Sequence, residues 1–101
     1  MVSPVFRRNN VSVSGDGERT MMFAHGFGCE QTMWEPVARN FSDDFRTVLF
    51  DYVGHGLSDL AAYDAERYSS LHGYADDVVE IGRAVGLGDA VFVGHSVSAM
   101  V

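Results

Sequence analysis

One short stretch near the carboxyl end, residues 90–100, restricts the fold more than any other part of the sequence. It reads AVFVGHSVSAM, an apolar run with β-branched residues that leads directly into a serine between small residues. A buried strand, then such a serine, then a helix-compatible run is the order that a nucleophile elbow requires. The turn strains the serine backbone, and the positions two before and two after it must be small. Gly94 meets this demand fully, whereas Ser98 stands where the usual motif has glycine and meets it only by being small.

Two other interpretations of this stretch compete with the elbow. An ordinary strand-to-helix turn would leave Ser96 as a solvated hydroxyl without a chemical role. A dinucleotide-binding turn would place Gly94, Ser96 and Ala99 at the Gly-x-Gly-x-x-Gly/Ala positions, but a serine at the middle position hinders the close approach of a pyrophosphate. The sequence also ends before any acidic ribose-binding residue. We therefore favour the elbow, with Ser96 as the nucleophile.

A glycine-rich segment upstream, HGFG at residues 25–28, supplies a second part of the same chemistry. Sharp turning at Gly26 and Gly28 would leave the amide of Phe27 directed into open space. Acyl transfer needs two such donors, aimed where negative charge develops on a carbonyl oxygen. The second donor would be the amide of Val97, immediately after the candidate nucleophile. The sequence thus predicts an oxyanion hole formed by Phe27 and Val97.

Alternating polar and apolar residues predict a first, half-exposed strand, and the apolar runs after it predict the order strand, helix, strand, helix, strand. This order indicates an α/β fold with a mainly parallel sheet and crossover helices. The loop at residues 51–59 is interpreted as a structural turn, because no basic residue flanks it as a phosphate site would require. The predicted strands are residues 10–14, 20–24, 46–50 and 90–93. The first predicted helix is residues 32–41, capped by Thr32. The second predicted helix is longer; Ser69 or Ser70 caps it and residues 86–88 end it.

The longer helix shows one clear apolar stripe. Its members recur at helical spacing and predict the buried face, whereas the charged residues between them predict a solvated face. The stripe consists of Tyr74, Val78, Ile81 and Val85, and the charged set is Asp76, Asp77, Glu80 and Arg83.

Charge and composition exclude several classes of function. The net charge of −7 disfavours nucleic acid and anionic membranes as partners. All seven basic residues are arginine, so the segment has no P-loop lysine and no Schiff-base lysine. The single cysteine, Cys29, permits no internal disulfide, and the four scattered histidines do not form a metal site. With no signal-peptide pattern and no membrane-length apolar run, we expect a cytoplasmic protein without metal or cofactor.

Three motifs together resemble the α/β-hydrolase superfamily: HGFG at residues 25–28, DYVGHGLS at residues 51–58 and GHSVS at residues 94–98. The resemblance covers the chain from Val11 onward. The longer phrases around the last two motifs are similar to the branch that contains the bacterial stress-response regulator RsbQ and the plant karrikin and strigolactone receptors. This implies the α/β-hydrolase fold and a small, apolar ester or ligand in an enclosed pocket. In RsbQ-type members it also implies a phosphatase partner in the general stress-response pathway.

The resemblance also implies roles for individual residues. Ser96 would be the nucleophile, the amides of Phe27 and Val97 would form the oxyanion hole, and Phe27 and His95 would contact the substrate. A dehalogenase or an epoxide hydrolase of this fold would be expected to carry aspartate at position 96, so a serine hydrolase acting on an ester is favoured over both. The alternative is an RsbQ-like signalling regulator.

The superfamily places its triad acid and histidine after the serine, but only five residues follow Ser96 and none is Asp, Glu or His. His95 is a poor base because neighbouring side chains at a strand end point apart. The other histidines, His25, His55 and His72, are interpreted as structural. We therefore expect residues 1–101 to be the N-terminal portion of a single α/β-hydrolase domain, inactive by itself.

Overall fold

Four strands form a single sheet in the computed structural model, which describes residues 4–15, 17–26, 28–86 and 90–101. The spatial order is β1-β3-β2-β4. Strand β2 pairs in parallel with β3 and β4, whereas β1 pairs antiparallel with β3. The prediction of a mainly parallel sheet is confirmed. The strands are β1 (Ser12–Ser14), β2 (Arg19–Ala24), β3 (Phe45–Leu49) and β4 (Ala90–Gly94), so the bounds of each differ by one or two residues from those predicted.

The central strand β2 is covered on both faces, as its continuous apolar sequence predicts. Met22 and Ala24 belong to one buried cluster together with Ile81, and Met21 and Phe23 belong to another on the opposite face. This division follows from the two-residue period of a strand, which directs alternate side chains to opposite faces. By contrast, β4 forms the outer edge among the described residues, and its Val91 and Phe92 are 36% and 43% exposed.

Helix α3 (Leu71–Val85) lies against the first of these clusters through the predicted apolar stripe. The Ser70 side chain accepts a hydrogen bond from the His72 amide and so caps the helix, which selects Ser70 from the two predicted caps. Gly86 ends the helix in the left-handed conformation, with φ of 72°. The other two predicted helix-stopping residues, at positions 87 and 88, lie outside the described residues.

The prediction of a fully solvated charged face on α3 is wrong at Asp77, which is completely buried. Its carboxylate accepts a hydrogen bond of 2.7 Å from the Tyr68 hydroxyl and pairs with the guanidinium groups of Arg67 and Arg8. Burial, together with the bond to Asp77, raises the pKa of Tyr68 to about 12. Arg8 comes from α1 (Pro4–Arg8), a short helix that the sequence analysis did not identify.

The predicted helix at residues 32–41 is instead a 3₁₀ turn (Gln31–Trp34) followed by α2 (Glu35–Arg39). Thr32 does not cap it, since the residue lies inside the turn and its hydroxyl bonds to the Glu30 carboxylate at 2.5 Å. Two further 3₁₀ turns occupy Leu60–Ala62 and Ser96–Ala99. Across the described ranges, no helix is both long enough and apolar enough to span a membrane.

Gly73 provides a test of how α3 is fitted against the preceding loop. A Cβ added there would lie 1.8 Å from the Arg67 carbonyl oxygen, so the backbone would have to shift. Alanine is favoured over glycine in a helix by about 1 kcal/mol, but overpacking of this kind costs roughly 1–3 kcal/mol. We expect Gly73→Ala to lower the free energy of unfolding, as measured by urea denaturation. The adjacent exposed substitution His72→Ala should change it by no more than about 0.5 kcal/mol, and a stabilised Gly73→Ala protein would contradict this packing.

Candidate active site

Ser96 lies directly after β4 and carries an unusual backbone conformation. Its φ is 58°, in the left-handed region that residues other than glycine rarely adopt. Such a conformation costs on the order of 1–3 kcal/mol and persists only where the surroundings enforce it. The side chain is exposed. This is the strained, outward-facing serine that an elbow requires, although a 3₁₀ turn rather than an α-helix follows it within the described chain.

The loop after β2 approaches this turn very closely at Gly26. A Cβ on Gly26 would lie 2.6 Å from His95 Nδ1 and 3.3 Å from Ser96 Cβ, so a side chain at this position would require the His95 ring to move. The His95 amide also donates a hydrogen bond of 3.2 Å to the Ala24 carbonyl. Gly26 therefore lies close to Ser96. Phe27, assigned there as amide donor and pocket residue, lies outside the described residues.

The remaining two predicted site residues flank Ser96. His95 is exposed, and its ring lies nearly perpendicular to that of Trp34, with centroids 6.5 Å apart. Val97 is half-buried, and its amide has no acceptor among the described residues. Val97 also lines a cavity of about 410 Å³ whose other walls include the aromatic rings of Tyr52 and Tyr74. Its position directly after the serine is the one predicted for an oxyanion donor.

His25 is buried, and both ring nitrogens are engaged. Nε2 accepts a hydrogen bond of 3.0 Å from the Tyr52 amide, so Nδ1 carries the proton and donates to the Gly26 carbonyl at 2.8 Å. Desolvation lowers the pKa of His25 below its ordinary value of 6.5, and the bond to Gly26 opposes this effect more weakly. The structural interpretation of His25 is confirmed, because a ring with no free nitrogen lone pair cannot act as the base for Ser96.

Ser98, which replaces the usual glycine, does more than remain small. It is 1% exposed, its hydroxyl donates to the His25 carbonyl, and it lies 2.8 Å from the Tyr52 hydroxyl. The sequence analysis missed these contacts. The hydroxyl at a position where glycine is usual was the signal available, but its partners lie 73 and 46 residues away in the chain.

Asp51 is a second residue whose contacts the sequence analysis did not identify. Its buried carboxylate accepts hydrogen bonds from the amides of Gln31 and Leu57, at 2.8 and 3.1 Å, and from the Asn10 side chain at 3.0 Å. Gly56 packs against it, with φ of 52° and a hypothetical Cβ 2.6 Å from the carboxylate. The structural interpretation of the loop at residues 51–59 is therefore confirmed. Asp51 organises the loop after β3, and its oxygens already hold hydrogen bonds.

The described residues thus place a strained serine directly before the Val97 amide. Within the described ranges there is no group of three or more His, Cys, Asp or Glu side chains able to hold a metal ion.

A model of the alpha/beta hydrolase family matches residues 21–101. The fold agrees with this match, and the chain belongs to the α/β hydrolase family.

Individual relatives place the chain near the karrikin and strigolactone branch that the motifs indicated. It is 44% identical over 93 residues to the karrikin insensitive 2 receptor CA of Petunia hybrida, covering 92% of this chain and 34% of that protein. It is 40% identical over 92 residues to the strigolactone esterase D14 of Arabidopsis thaliana, covering 91% and 34%. A solved hydrolase from Oleispira antarctica matches with a TM-score of 0.92 and 47% identity, covering 96% of this chain and 36% of that one. The chain therefore spans about a third of the length of these relatives.

The lowered pKa of His25 makes a prediction about stability and pH. Because the folded pKa lies below the ordinary value of 6.5, the unfolded chain binds the proton more tightly than the folded one. The neutral His25 ring therefore contributes its full stabilisation of the fold above pH 6.5, and this contribution is lost as the pH falls below 6.5. The loss is about 1.4 kcal/mol for each unit by which the pKa of His25 in the folded protein lies below 6.5. We expect the Tm of the native protein to decrease as the pH is lowered from about 7 to about 5. The substitution His25→Gln should make this decrease smaller.

The matched control is His72→Gln, which removes an exposed histidine at the start of α3. It should preserve the pH dependence of the wild-type protein. An unchanged pH dependence in the His25→Gln protein would contradict the assignment of a buried, neutral His25.

Proposed function

We propose that the native protein is a serine hydrolase that acts on a small, apolar ester or a related carbonyl compound, with Ser96 as its nucleophile. The observation that carries the proposal is the left-handed backbone of Ser96, with φ of 58°, together with the close approach of Gly26, where an added Cβ would lie 3.3 Å from Ser96 Cβ. A strained serine that presents its hydroxyl beside a glycine loop is the arrangement that acyl transfer uses. The Arabidopsis relative is named as an esterase, which supports the same class of reaction.

In the proposed reaction, Ser96 Oγ bonds to the substrate carbonyl carbon and the ester C–O bond breaks. The serine hydroxyl proton passes to a base and then to the departing alcohol, which leaves an acyl group on Ser96. Water then cleaves this acyl ester, releasing the acid and restoring the serine hydroxyl. The base and its carboxylate partner would be supplied from outside residues 1–101, because His25 and Asp51 are already engaged in hydrogen bonds.

The proposed oxyanion hole consists of the amides of Val97 and Phe27. The Gly26 carbonyl accepts two hydrogen bonds, one of 3.0 Å from the Cys29 amide and one of 2.8 Å from His25 Nδ1, which hold the loop at this residue. Preorganised donors of this kind lower the barrier because they need no rearrangement during the reaction.

The proposed substrate contacts are the Phe27 ring and the His95 side chain. The exposed position of His95 next to Ser96, with Trp34 behind it, supports a contact with the group bound near the reacting carbonyl. The aromatic rings around the cavity beside Val97 favour an apolar compound over a charged one.

Ester hydrolysis by the native protein tests the proposal. With p-nitrophenyl acetate as substrate, Ser96→Ala should lower kcat at least about a thousandfold, because the alanine cannot form the acyl intermediate. The fold should survive, since the side chain is small and exposed. Ser14→Ala, which removes an exposed serine hydroxyl on the far strand β1, should leave kcat unchanged. Turnover by Ser96→Ala close to the wild-type value would overturn the proposal.

A second proposal is that the same pocket binds a ligand as part of a signalling protein. The Petunia relative is named as a receptor, which favours a protein that senses a small apolar ligand and acts on a regulatory partner. The partner we propose is a phosphatase of the general stress-response pathway in the same organism. Its activity should rise when the native protein is added. Unchanged phosphatase activity at saturating protein would contradict this alternative without affecting the hydrolase proposal.

A further inference from the structure

We propose that Ser98 is a positioning residue, which holds the turn bearing Ser96 against the loop that follows β2. The inference rests on the proposed serine hydrolase function and adds a role for a hydroxyl at a position where the usual motif has glycine. The contact through which Ser98 acts is its buried bond to the His25 carbonyl, one residue before the close approach at Gly26.

The direction of each hydrogen bond follows from which groups have protons. The His25 carbonyl has none, so the single proton of the Ser98 hydroxyl lies in the bond to His25. The Tyr52 hydroxyl, 2.8 Å away, must then donate to Ser98 Oγ. Burial raises the pKa of Tyr52, which keeps this phenol protonated and able to donate. The hydroxyl of Ser98 is therefore both a donor and an acceptor, and no rotation of the group satisfies both partners in another way.

These bonds form a closed hydrogen-bond network between three segments. Tyr52, from the loop after β3, donates through its amide to the His25 ring and through its hydroxyl to Ser98. Ser98, from the turn after β4, donates to the His25 carbonyl at the end of β2. His25 and Ser98 are at most 1% exposed and Tyr52 is 4% exposed, so water does not compete for these bonds. Moving the turn away from the loop would leave these buried polar groups unpaired, which is unfavourable.

This hydrogen-bond network joins the two elements that supply the proposed oxyanion donors. Val97 precedes Ser98 on the turn, and Gly26 follows His25 on the loop. Catalytic donors must be held to within about 0.5 Å of the productive geometry, and a misplacement of about 1 Å costs on the order of a hundredfold in rate. Ser98 is placed to fix the turn that bears Val97 relative to the loop at Gly26, whereas a glycine at this position has no side chain to do so.

This role predicts a loss in kcat rather than in substrate binding. Formation and cleavage of the acyl intermediate use the same donors, so both steps should slow together and KM should stay constant. With p-nitrophenyl acetate, we expect Ser98→Ala in the native protein to lower kcat by roughly 10- to 100-fold with KM within about twofold of wild type. The affinity for a trifluoromethyl ketone, which forms a tetrahedral adduct with the serine, should fall by a similar factor.

A double-mutant cycle with Tyr52→Phe tests whether the hydrogen-bond network acts as one unit. Tyr52→Phe removes the donor to Ser98 and retains the aromatic ring. If Ser98 acts through this network, the loss of kcat in Ser98→Ala/Tyr52→Phe should be clearly smaller than the product of the two single losses. Losses that simply multiply would overturn the shared role of the two hydroxyls.

Thr47→Val is the matched structural control. Thr47 is also buried, and its hydroxyl also bonds to a carbonyl of another element, that of Ser14 at 3.3 Å, but it lies in β3 away from the turn. Both Thr47→Val and Ser98→Ala should lower Tm, whereas only Ser98→Ala should lower kcat. If Ser98→Ala lowers kcat no more than Thr47→Val does, the positioning role is wrong while the hydrolase function stands. If the wild-type protein itself has no Ser96-dependent turnover, the hydrolase function fails and the positioning role fails with it.

Discussion

The central strand β2 ends level with both of its neighbours, and the candidate site depends on this register. Phe23 pairs with Leu49 of β3 and with Val93 of β4, and Ala24 pairs with Gly94. Because the three strands run parallel, the segments that follow them emerge at the same edge of the sheet. A shift of one residue would reverse the faces of every β2 side chain, which both apolar clusters forbid. Packing far from Ser96 thus fixes the approach of the loop at Gly26 to the turn after β4.

Buried polar groups then fix the segments that leave this edge. Asp51 holds the loop after β3 through three hydrogen bonds, and His25 joins that loop to the end of β2. On the other side of the sheet, Asp77 binds Arg8 and Arg67 and so ties α1 and the loop before α3 to the helix. Each of these groups would be costly to leave unpaired in the interior, so each specifies one position for the backbone it contacts. The strain at Ser96 is sustained by surroundings that are fixed in this way.

The sequence predicted those features that depend on local pattern. The apolar runs located the strands, the stripe from Tyr74 to Val85 located the buried face of α3, and GHSVS located the strained serine. The errors share a different cause. Asp77 was assigned to solvent because its partners Arg8 and Arg67 lie on other elements, and local spacing carries no information about them. Ser98 was judged by size alone for the same reason, since its hydrogen bonds reach 73 and 46 residues back along the chain.

In the proposed function, Ser96 is the nucleophile and the neighbouring Val97 amide binds the substrate oxygen that develops negative charge. A crystal structure of the native protein after reaction with a fluorophosphonate tests this most directly, because the adduct resembles the tetrahedral intermediate. We expect phosphorus bonded to Ser96 Oγ, with fluoride lost, and the phosphoryl oxygen within hydrogen-bonding distance, about 3 Å, of the Val97 amide. An adduct on another residue, or a phosphoryl oxygen directed away from Val97, would contradict it.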